Sequence, residues 1–222
     1  AVYLLLTLPL SAEPPDPNDP LLREYVETML RAFGPSVAPQ LLGSVSAYDI
    51  FVFQHGYKPG APELRDLLWA MFLHGGFAHL AGNMLFLWIY GDNVEHRLGR
   101  AAYLLAYLGT GAIATWSFAA FAEGSMVPLV GASGAISGVL GLYFWLFPRN
   151  KVKLLIFFFP FLMDVILIPA RWLLAFYVVL DNLLPMILGS QSSVAYGAHL
   201  GGFAGGLGVA LIGQRAGWRW PW

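Results

Sequence analysis

Five strongly apolar segments follow one another after residue 76, and this pattern restricts the chain to a small set of folds. The segments are Phe77–Gly91, Ala101–Phe121, Ala135–Phe147, Trp172–Leu188 and Ala195–Ile212. Hydrophobic residues make up 58% of the sequence and charged residues only 11%, against roughly 25% charged residues in an average soluble domain. The mean hydropathy is +0.63. These values predict an all-α, polytopic membrane protein.

A sixth transmembrane helix is expected from the N-terminal run Ala1–Leu10. As a helix this run is only about 15 Å long, half of a ~30 Å hydrocarbon core, so we interpret it as the end of a first transmembrane helix. Residues 11–66 are polar, acidic and interrupted by prolines, which is typical of a long external loop. Within this loop, apolar residues at helical spacing predict an interfacial helix over Leu21–Phe33.

One further apolar stretch, Leu154–Ile168, does not fit a spanning helix. Pro160, Asp164 and Pro169 interrupt it. We therefore predict a loop that dips into the membrane interface.

The distribution of basic residues predicts the orientation of the helices. If six helices cross the membrane in alternating directions, eight basic residues lie on the same side. They are Arg97, Arg100, Arg149, Lys151, Lys153, Arg171, Arg215 and Arg219. Both termini, including a tail over residues 215–222, are therefore expected in the cytoplasm. We expect the membrane to be the inner membrane of a prokaryotic cell. Five helices over residues 67–214 form the predicted core, and the loop over residues 11–66 faces the external side.

Composition also excludes several classes of function. The chain has no cysteine, so it has no disulfide, no thiolate zinc site and no cysteine nucleophile. A net charge of −1 does not fit a nucleic-acid-binding protein. A zinc protease helix needs His-Glu-x-x-His, and the spacing of His74 and His79 does not provide it. We expect no metal and no cofactor.

Three polar clusters fall at the external ends of three predicted helices. His79 and Asn83 are four residues apart, so they share one face of the second helix. Ser133 lies in a glycine-rich run at the start of the fourth helix. His199 lies at the start of the sixth helix. The clusters are expected at one membrane depth.

Small residues predict that the fourth and sixth helices pack closely. Gly134 and Gly138 form a small face on one helix, and Gly202 and Gly206 form a small face on the other. Such faces let helix backbones approach closely in lipid. That approach would bring the histidine of the sixth helix within hydrogen-bond reach of the serine of the fourth.

The fourth helix is short for a membrane span. From Gly134 to Pro148 it would be about 22 Å long, against a core of ~30 Å, so its N-terminus is expected below the external surface. Non-helical backbone at that depth must be buried in protein or line a wet cavity. The free N–H groups of a helix N-terminus there would favour a developing oxyanion.

These residues predict a serine nucleophile with a histidine base. A serine hydroxyl is a poor nucleophile until a base takes its proton, and His199 is the available base. No acidic residue follows His199 in the chain, which favours a dyad over a triad. His79, Asn83 and the backbone N–H of Ser133 are expected to form an oxyanion hole.

The motifs resemble those of the rhomboid family of intramembrane serine proteases. The matching motifs are Gly131-x-Ser133-Gly134, His199-x-x-Gly202-x-x-x-Gly206, His79-x-x-x-Asn83 and Glu95-x-Arg97-x-Gly99. The resemblance covers about Leu67 to Gln214. It implies a six-helix rhomboid fold, a Ser-His dyad that cleaves transmembrane protein substrates near their external end, and a fifth helix that acts as a lateral gate.

Some family members carry, at the position of Ser137, a tyrosine that stacks on the base histidine. The resemblance therefore does not imply how the histidine is held here. We interpret His74, His55 and His96 as interfacial or solvated residues, and Asp181 as a residue that stabilises the gate through a hydrogen bond.

Two other functions fit part of the pattern. A channel or transporter could place several histidines along a pore between glycine-faced helices, and it would leave Ser133 unreactive. A rhomboid-like chaperone without catalytic activity would normally lack the serine or the histidine, and both are present. Labelling by a serine-directed probe distinguishes these functions from a protease.

Overall fold

The computed structural model describes residues 9–158, 162–189 and 195–218. The chain divides into two compact units. The first unit comprises Ala1–Met84 and Phe118–Ser133, and the second comprises Leu85–Ser117 and Gly134–Trp222. The expected end of a first transmembrane helix, Ala1–Leu10, lies outside the described residues except for a helical turn that starts at residue 9.

The first unit begins with helix α1, Pro20–Phe33, which confirms the helix predicted over Leu21–Phe33. The Asp19 carboxylate accepts a hydrogen bond from the Leu21 N–H at 2.9 Å and so caps the first turn. Gly34, with a φ of +80°, ends the helix.

The rest of the loop over residues 11–66 contains more helix than predicted. It forms α2 (Ala38–Ser44) and α3 (Ala47–His55) and enters α4 (Leu64–Trp69). A capping box starts α3: the Ser46 hydroxyl accepts from the Asp49 N–H at 3.3 Å, and the Asp49 carboxylate accepts from the Ser46 N–H at 2.8 Å. These helices are too short for apolar periodicity to identify them.

The segment that leads to Ser133 is held by backbone hydrogen bonds within the first unit. Tyr57 and Leu129 exchange two of them, at 3.1 and 2.8 Å, in an isolated antiparallel bridge. The Gly131 N–H donates to the Ala70 carbonyl oxygen at 2.8 Å. This segment is thus non-helical, and at Leu129 and Gly131 its backbone is bonded to protein, the first of the two alternatives predicted for the approach to a short fourth helix.

Five longer helical runs follow the order of the five predicted apolar segments. The first contains α5 (Phe77–Phe86), a π-helical turn (Leu87–Gly91) and α6 (Asp92–Leu98). The next two are α7 (Arg100–Phe121) and α8 (Ser133–Leu146). The fourth contains α9 (Ala170–Val178), a second π-helical turn (Val179–Leu183) and α10 (Leu184–Ile187). The last is α11 (Tyr196–Arg215).

Helix α8 forms the centre of the second unit. Every residue from Gly134 to Tyr143 is buried, and with 14 residues α8 is as short as predicted. Its neighbours expose large apolar side chains instead, including Leu105, Trp116, Trp172 and Phe176. Exposed apolar side chains on several helices are typical of a surface that faces lipid.

Residues 151–169 correct the predicted fold. Instead of the predicted loop, they form an antiparallel hairpin of β1 (Lys151–Phe158) and β2 (Leu162–Pro169), with Lys151 opposite Pro169. Asp164 is exposed on β2, and Pro169 ends that strand, where a missing N–H is tolerated. Pro160 lies outside the described residues. The all-α prediction is therefore wrong for this segment, although helices dominate the rest.

Two helical runs in the described ranges are long and apolar enough to cross a membrane, Arg100–Phe121 and Ala170–Ile187. Ser133–Leu146 is a shorter apolar helix. Asparagine, histidine and charged residues lower the hydropathy of the first run, and His199 and seven glycines lower that of the last.

Candidate active site

His79, on the first turn of α5, is held by the backbone just before the helix. The Gly75 N–H donates to Nδ1 of His79 at 3.2 Å. Because Nδ1 accepts this bond, the neutral imidazole carries its hydrogen on Nε2. His79 therefore presents an N–H donor at its far edge.

Gly131 lies between His79 and Ser133 within the first unit. A Cβ atom at this position would lie 2.7 Å from Cε1 and 2.8 Å from Nε2 of His79, and 3.7 Å from Oγ of Ser133. Gly131 also has a φ of +118°, a backbone angle that residues other than glycine rarely adopt. The imidazole edge and the serine hydroxyl thus both lie next to Gly131, a position where a side chain does not fit.

Asn83 follows His79 by one helical turn, as the spacing predicted. Its side chain is 7% exposed. Among the described residues, no hydrogen-bond partner meets its buried Nδ2. A buried amide N–H₂ without a partner is costly and rare, so such a group calls for an explanation. Asn83 offers a second buried donor on the same face as His79.

His74 is buried rather than interfacial, so that interpretation is wrong. It is 3% exposed, and its ring centroid lies 5.3 Å from that of His79. The Tyr48 hydroxyl donates to the His74 carbonyl oxygen at 2.5 Å and accepts from the His74 N–H at 3.4 Å. Burial, together with the nearby His79, lowers the pKa of His74 to about 4.

The other histidines outside the motifs fit the expectation. His96 is exposed on α6, and His55 is half-buried with its ring 4.5 Å from that of Phe51. Within the described ranges, no three histidine, aspartate or glutamate residues are arranged to hold a metal ion.

His199, in the second unit, lies on the first turn of α11 beside the π-helical turn Val179–Leu183. Its Nδ1 lies 2.7 Å from Oδ1 of Asn182. Asn182 is 1% exposed and donates through Nδ2 to the Tyr177 carbonyl oxygen at 2.9 Å. The base predicted from sequence therefore has a buried amide as its partner.

Tyr177 links this pair to the helix of the predicted nucleophile. Its hydroxyl lies 2.8 Å from the Ser137 hydroxyl on α8. Its ring centroid lies 6.3 Å from that of His199, with the planes tilted by 33°. Ser137 thus holds a tyrosine of another helix close to the histidine.

The glycine faces of α8 and α11 pack as predicted. An added Cβ at Gly202 or Gly206 would overlap the carbonyl oxygen of Gly134 or Gly138, respectively. Gly134 and Gly138 also face a third helix that the sequence did not indicate: a Cβ on Gly138 would overlap Thr110 of α7. The small residues of α8 thus allow close packing against two helices, α11 and α7, instead of one.

Sequence reasoning selected Asp181 in this region and missed Asn182. Asp181 is exposed, while Asn182 is buried against the base. No hydrogen bond of the Asp181 side chain is seen among the described residues, which does not support its predicted role in the gate. The signal available in the sequence was an asparagine, Asn182, next to Asp181 within an apolar helix.

Comparison with known proteins shows the family to which the chain belongs. The family model for the Rhomboid domain matches residues 61–216. Rhomboid protein 1, mitochondrial, of Saccharomyces cerevisiae is 32% identical over 157 residues, 69% of this chain and 41% of the yeast protein. Rhomboid protease GluP of Bacillus subtilis is 41% identical over 92 residues, 40% of this chain and 17% of that protein.

A vertebrate relative matches over a longer stretch. Presenilin-associated rhomboid-like protein A, mitochondrial, of Danio rerio is 31% identical over 179 residues, 79% of this chain and 45% of that protein. The chain thus spans less than half the length of each of these three relatives. The family model covers well over half of the chain itself, and its matched region contains all three site clusters. The chain belongs to the rhomboid family.

Proposed function

We propose that this protein is an intramembrane serine endopeptidase with Ser133 as nucleophile and His199 as base. The observation that carries the proposal is that the Ser133 hydroxyl and the donor edge of His79 both lie next to Gly131. A peptide carbonyl bound beside these two groups would meet a nucleophile on one side and an N–H donor on the other. This is the arrangement that acyl transfer requires.

The reaction follows from these groups. His199 takes the Ser133 proton as Oγ bonds to the peptide carbonyl carbon, and the carbonyl oxygen becomes an oxyanion. The donors of His79, Asn83 and the Ser133 backbone stabilise that charge. The imidazolium then gives its proton to the departing amine as the C–N bond breaks. Water, deprotonated by the same histidine, then attacks the acyl carbon, the bond from that carbon to Oγ breaks, and the histidine returns the proton to Ser133.

The proposed substrates are transmembrane segments of other membrane proteins, cut near their external end. The exposed apolar side chains of α7 and α9 and the two apolar spans support a site within lipid. We propose six spanning helices with both termini in the cytoplasm. The relatives named above come from a bacterium and from mitochondria, so they do not favour the expected prokaryotic membrane over a mitochondrial one.

A fluorophosphonate probe tests the nucleophile in the purified, folded protein. We expect an adduct on Ser133 in the wild type and none in Ser133→Ala. Ser125→Ala, a serine of the loop before α8, is the matched control and should label normally. An unlabelled wild-type protein would favour the channel or the chaperone.

Cleavage of a model transmembrane substrate tests the other roles. Ser133→Ala and His199→Ala should be inactive, and full activity in either variant contradicts the mechanism. Asn83→Ala removes one oxyanion donor and should lower kcat by about 10²–10³-fold without abolishing cleavage.

A further inference from the structure

Four polar residues are linked by hydrogen bonds within the second unit. In order they are Ser137, Tyr177, Asn182 and His199. The hydroxyls of Ser137 and Tyr177 are 2.8 Å apart, and Asn182 bonds both the Tyr177 backbone and the His199 ring. Only His199 has a role in the proposed reaction, so the purpose of the other three is open.

The orientation of the Asn182 amide follows from its backbone contact. A carbonyl oxygen only accepts hydrogen bonds, so the amide group 2.9 Å from the Tyr177 carbonyl must be the N–H₂ end. The oxygen end then faces Nδ1 of His199 at 2.7 Å. An amide oxygen also only accepts, so Nδ1 must carry a hydrogen. In the neutral ring, Nε2 therefore has none.

The π-helical turn Val179–Leu183 makes this arrangement possible. A π turn inserts one extra residue into a helix and shifts the side chains that follow it, and such turns are frequent at functional sites. Here the amide of Asn182 bonds the carbonyl of Tyr177, five residues earlier. Asn182 is 1% exposed with both amide ends bonded, whereas its neighbour Asp181 faces outward.

We propose that Asn182 is a positioning residue that fixes the tautomer and the orientation of His199, with Tyr177 and Ser137 as its support. This inference rests on the proposed function. By accepting from Nδ1, Asn182 leaves the Nε2 lone pair to take the serine proton. The same bond persists when the ring becomes an imidazolium, so no group has to move during the transfer.

An uncharged partner also suits the surroundings. A carboxylate buried beside the base would need compensation for lost hydration, whereas an amide needs only its two hydrogen bonds. The amide keeps the geometric function of the third member of a triad without adding a buried charge.

Nitrogen NMR of the full chain in detergent, with isotope-labelled histidine, tests the tautomer without reference to activity. The His199 signals are assigned by their loss in His199→Ala. We expect a hydrogen on Nδ1 in the wild type and a substantial population with the hydrogen on Nε2 in Asn182→Leu. A wild-type ring protonated on Nε2, or an unchanged tautomer in Asn182→Leu, overturns the inference.

Kinetics on a model transmembrane substrate provide the second readout. Asn182→Leu should lower kcat on the order of 10²-fold with little change in KM, because His199 is no longer held in the tautomer and orientation of a base while substrate binding is unaffected. Asn182→Asp keeps an acceptor and should recover activity to within about tenfold of wild type. Asp181→Asn, on the same turn but exposed, is the matched control and should match wild type.

The two proposals fail in different ways. If Ser133→Ala still cleaves, the proposed function is wrong. The NMR measurement still tests whether Asn182 fixes the tautomer of His199. If wild type cleaves through Ser133 and His199 while Asn182→Leu keeps the wild-type kcat, only the positioning role is wrong. If Asn182→Leu does not fold, the tautomer of His199 in the wild type and the activity of Asn182→Asp still test the positioning role.

Discussion

The backbone of Gly206 on α11 packs directly against the carbonyl oxygen of Gly138 on α8, leaving no room for a methyl group. Gly206→Ala should therefore force the two backbones apart and destabilise the protein by about 1–3 kcal/mol. Thermal unfolding in detergent measures this effect. Gly208→Ala is the matched control, because a Cβ at Gly208 meets nothing within 4 Å. Equal stability of the two variants would contradict the packing.

Gly131→Ala should lower cleavage by about 10²-fold, comparable to the loss of an oxyanion donor. The added methyl group would lie 2.7 Å from the His79 ring and push it aside. Gly124→Ala separates this contact from backbone strain. Gly124 also has a positive φ, +73°, but no atom lies within 4 Å of its Cβ position. Both variants should lose about 1 kcal/mol or more of stability, and only Gly131→Ala should lose activity.

The stability of the protein should fall as the pH falls from about 6.5 towards 4. His74 has a pKa of about 4 in the fold and an ordinary value of 6.5, so between these values the unfolded chain binds more protons. Acid therefore favours unfolding over this window. His74→Gln should flatten the dependence, measured as the unfolding temperature against pH. The exposed His96→Gln serves as control, and an identical curve for both variants would contradict the assignment.

Tyr48→Phe should destabilise the protein by about 1–3 kcal/mol, because it leaves the carbonyl and the N–H of His74 without the hydroxyl that bonds them. Tyr57→Phe is the comparison. Tyr57 is 6% exposed in the same unit, and its hydroxyl makes no hydrogen bond within the described part of the chain. Denaturant titration of both variants checks the difference, and a smaller loss for Tyr48→Phe would rule it out.

Long apolar helices are readily predicted from this sequence because length and composition both identify them. The segment predicted over Ala101–Phe121 is found over Arg100–Phe121. The pairing of small residues on α8 and α11 was also predictable, since four-residue spacing places glycines on one face. The contact of Gly138 with a third helix, α7, was not predictable, because nothing in the sequence distinguishes Thr110 from the other residues of that helix.

The partners of His199 escaped prediction for a geometric reason. Helical periodicity assumes 3.6 residues per turn, and the π turn over Val179–Leu183 breaks that rule. It turns Asn182 inward and leaves Asp181 outside, the reverse of what charge alone indicated. The hairpin over residues 151–169 escaped because a short apolar run does not distinguish a strand from a buried loop or helix.

That hairpin is closed at its base. The Ala170 N–H donates to the Asn150 carbonyl oxygen at 2.9 Å, and Lys151 pairs with Pro169, so the chain leaves and re-enters the helical part at nearly one point. The end of α8 and the start of α9 are thus already joined without the strands. A tight turn between Asn150 and Ala170 would bridge the same gap, so we expect the helices on either side to tolerate replacement of the hairpin by a short linker, a reporter or a fusion partner.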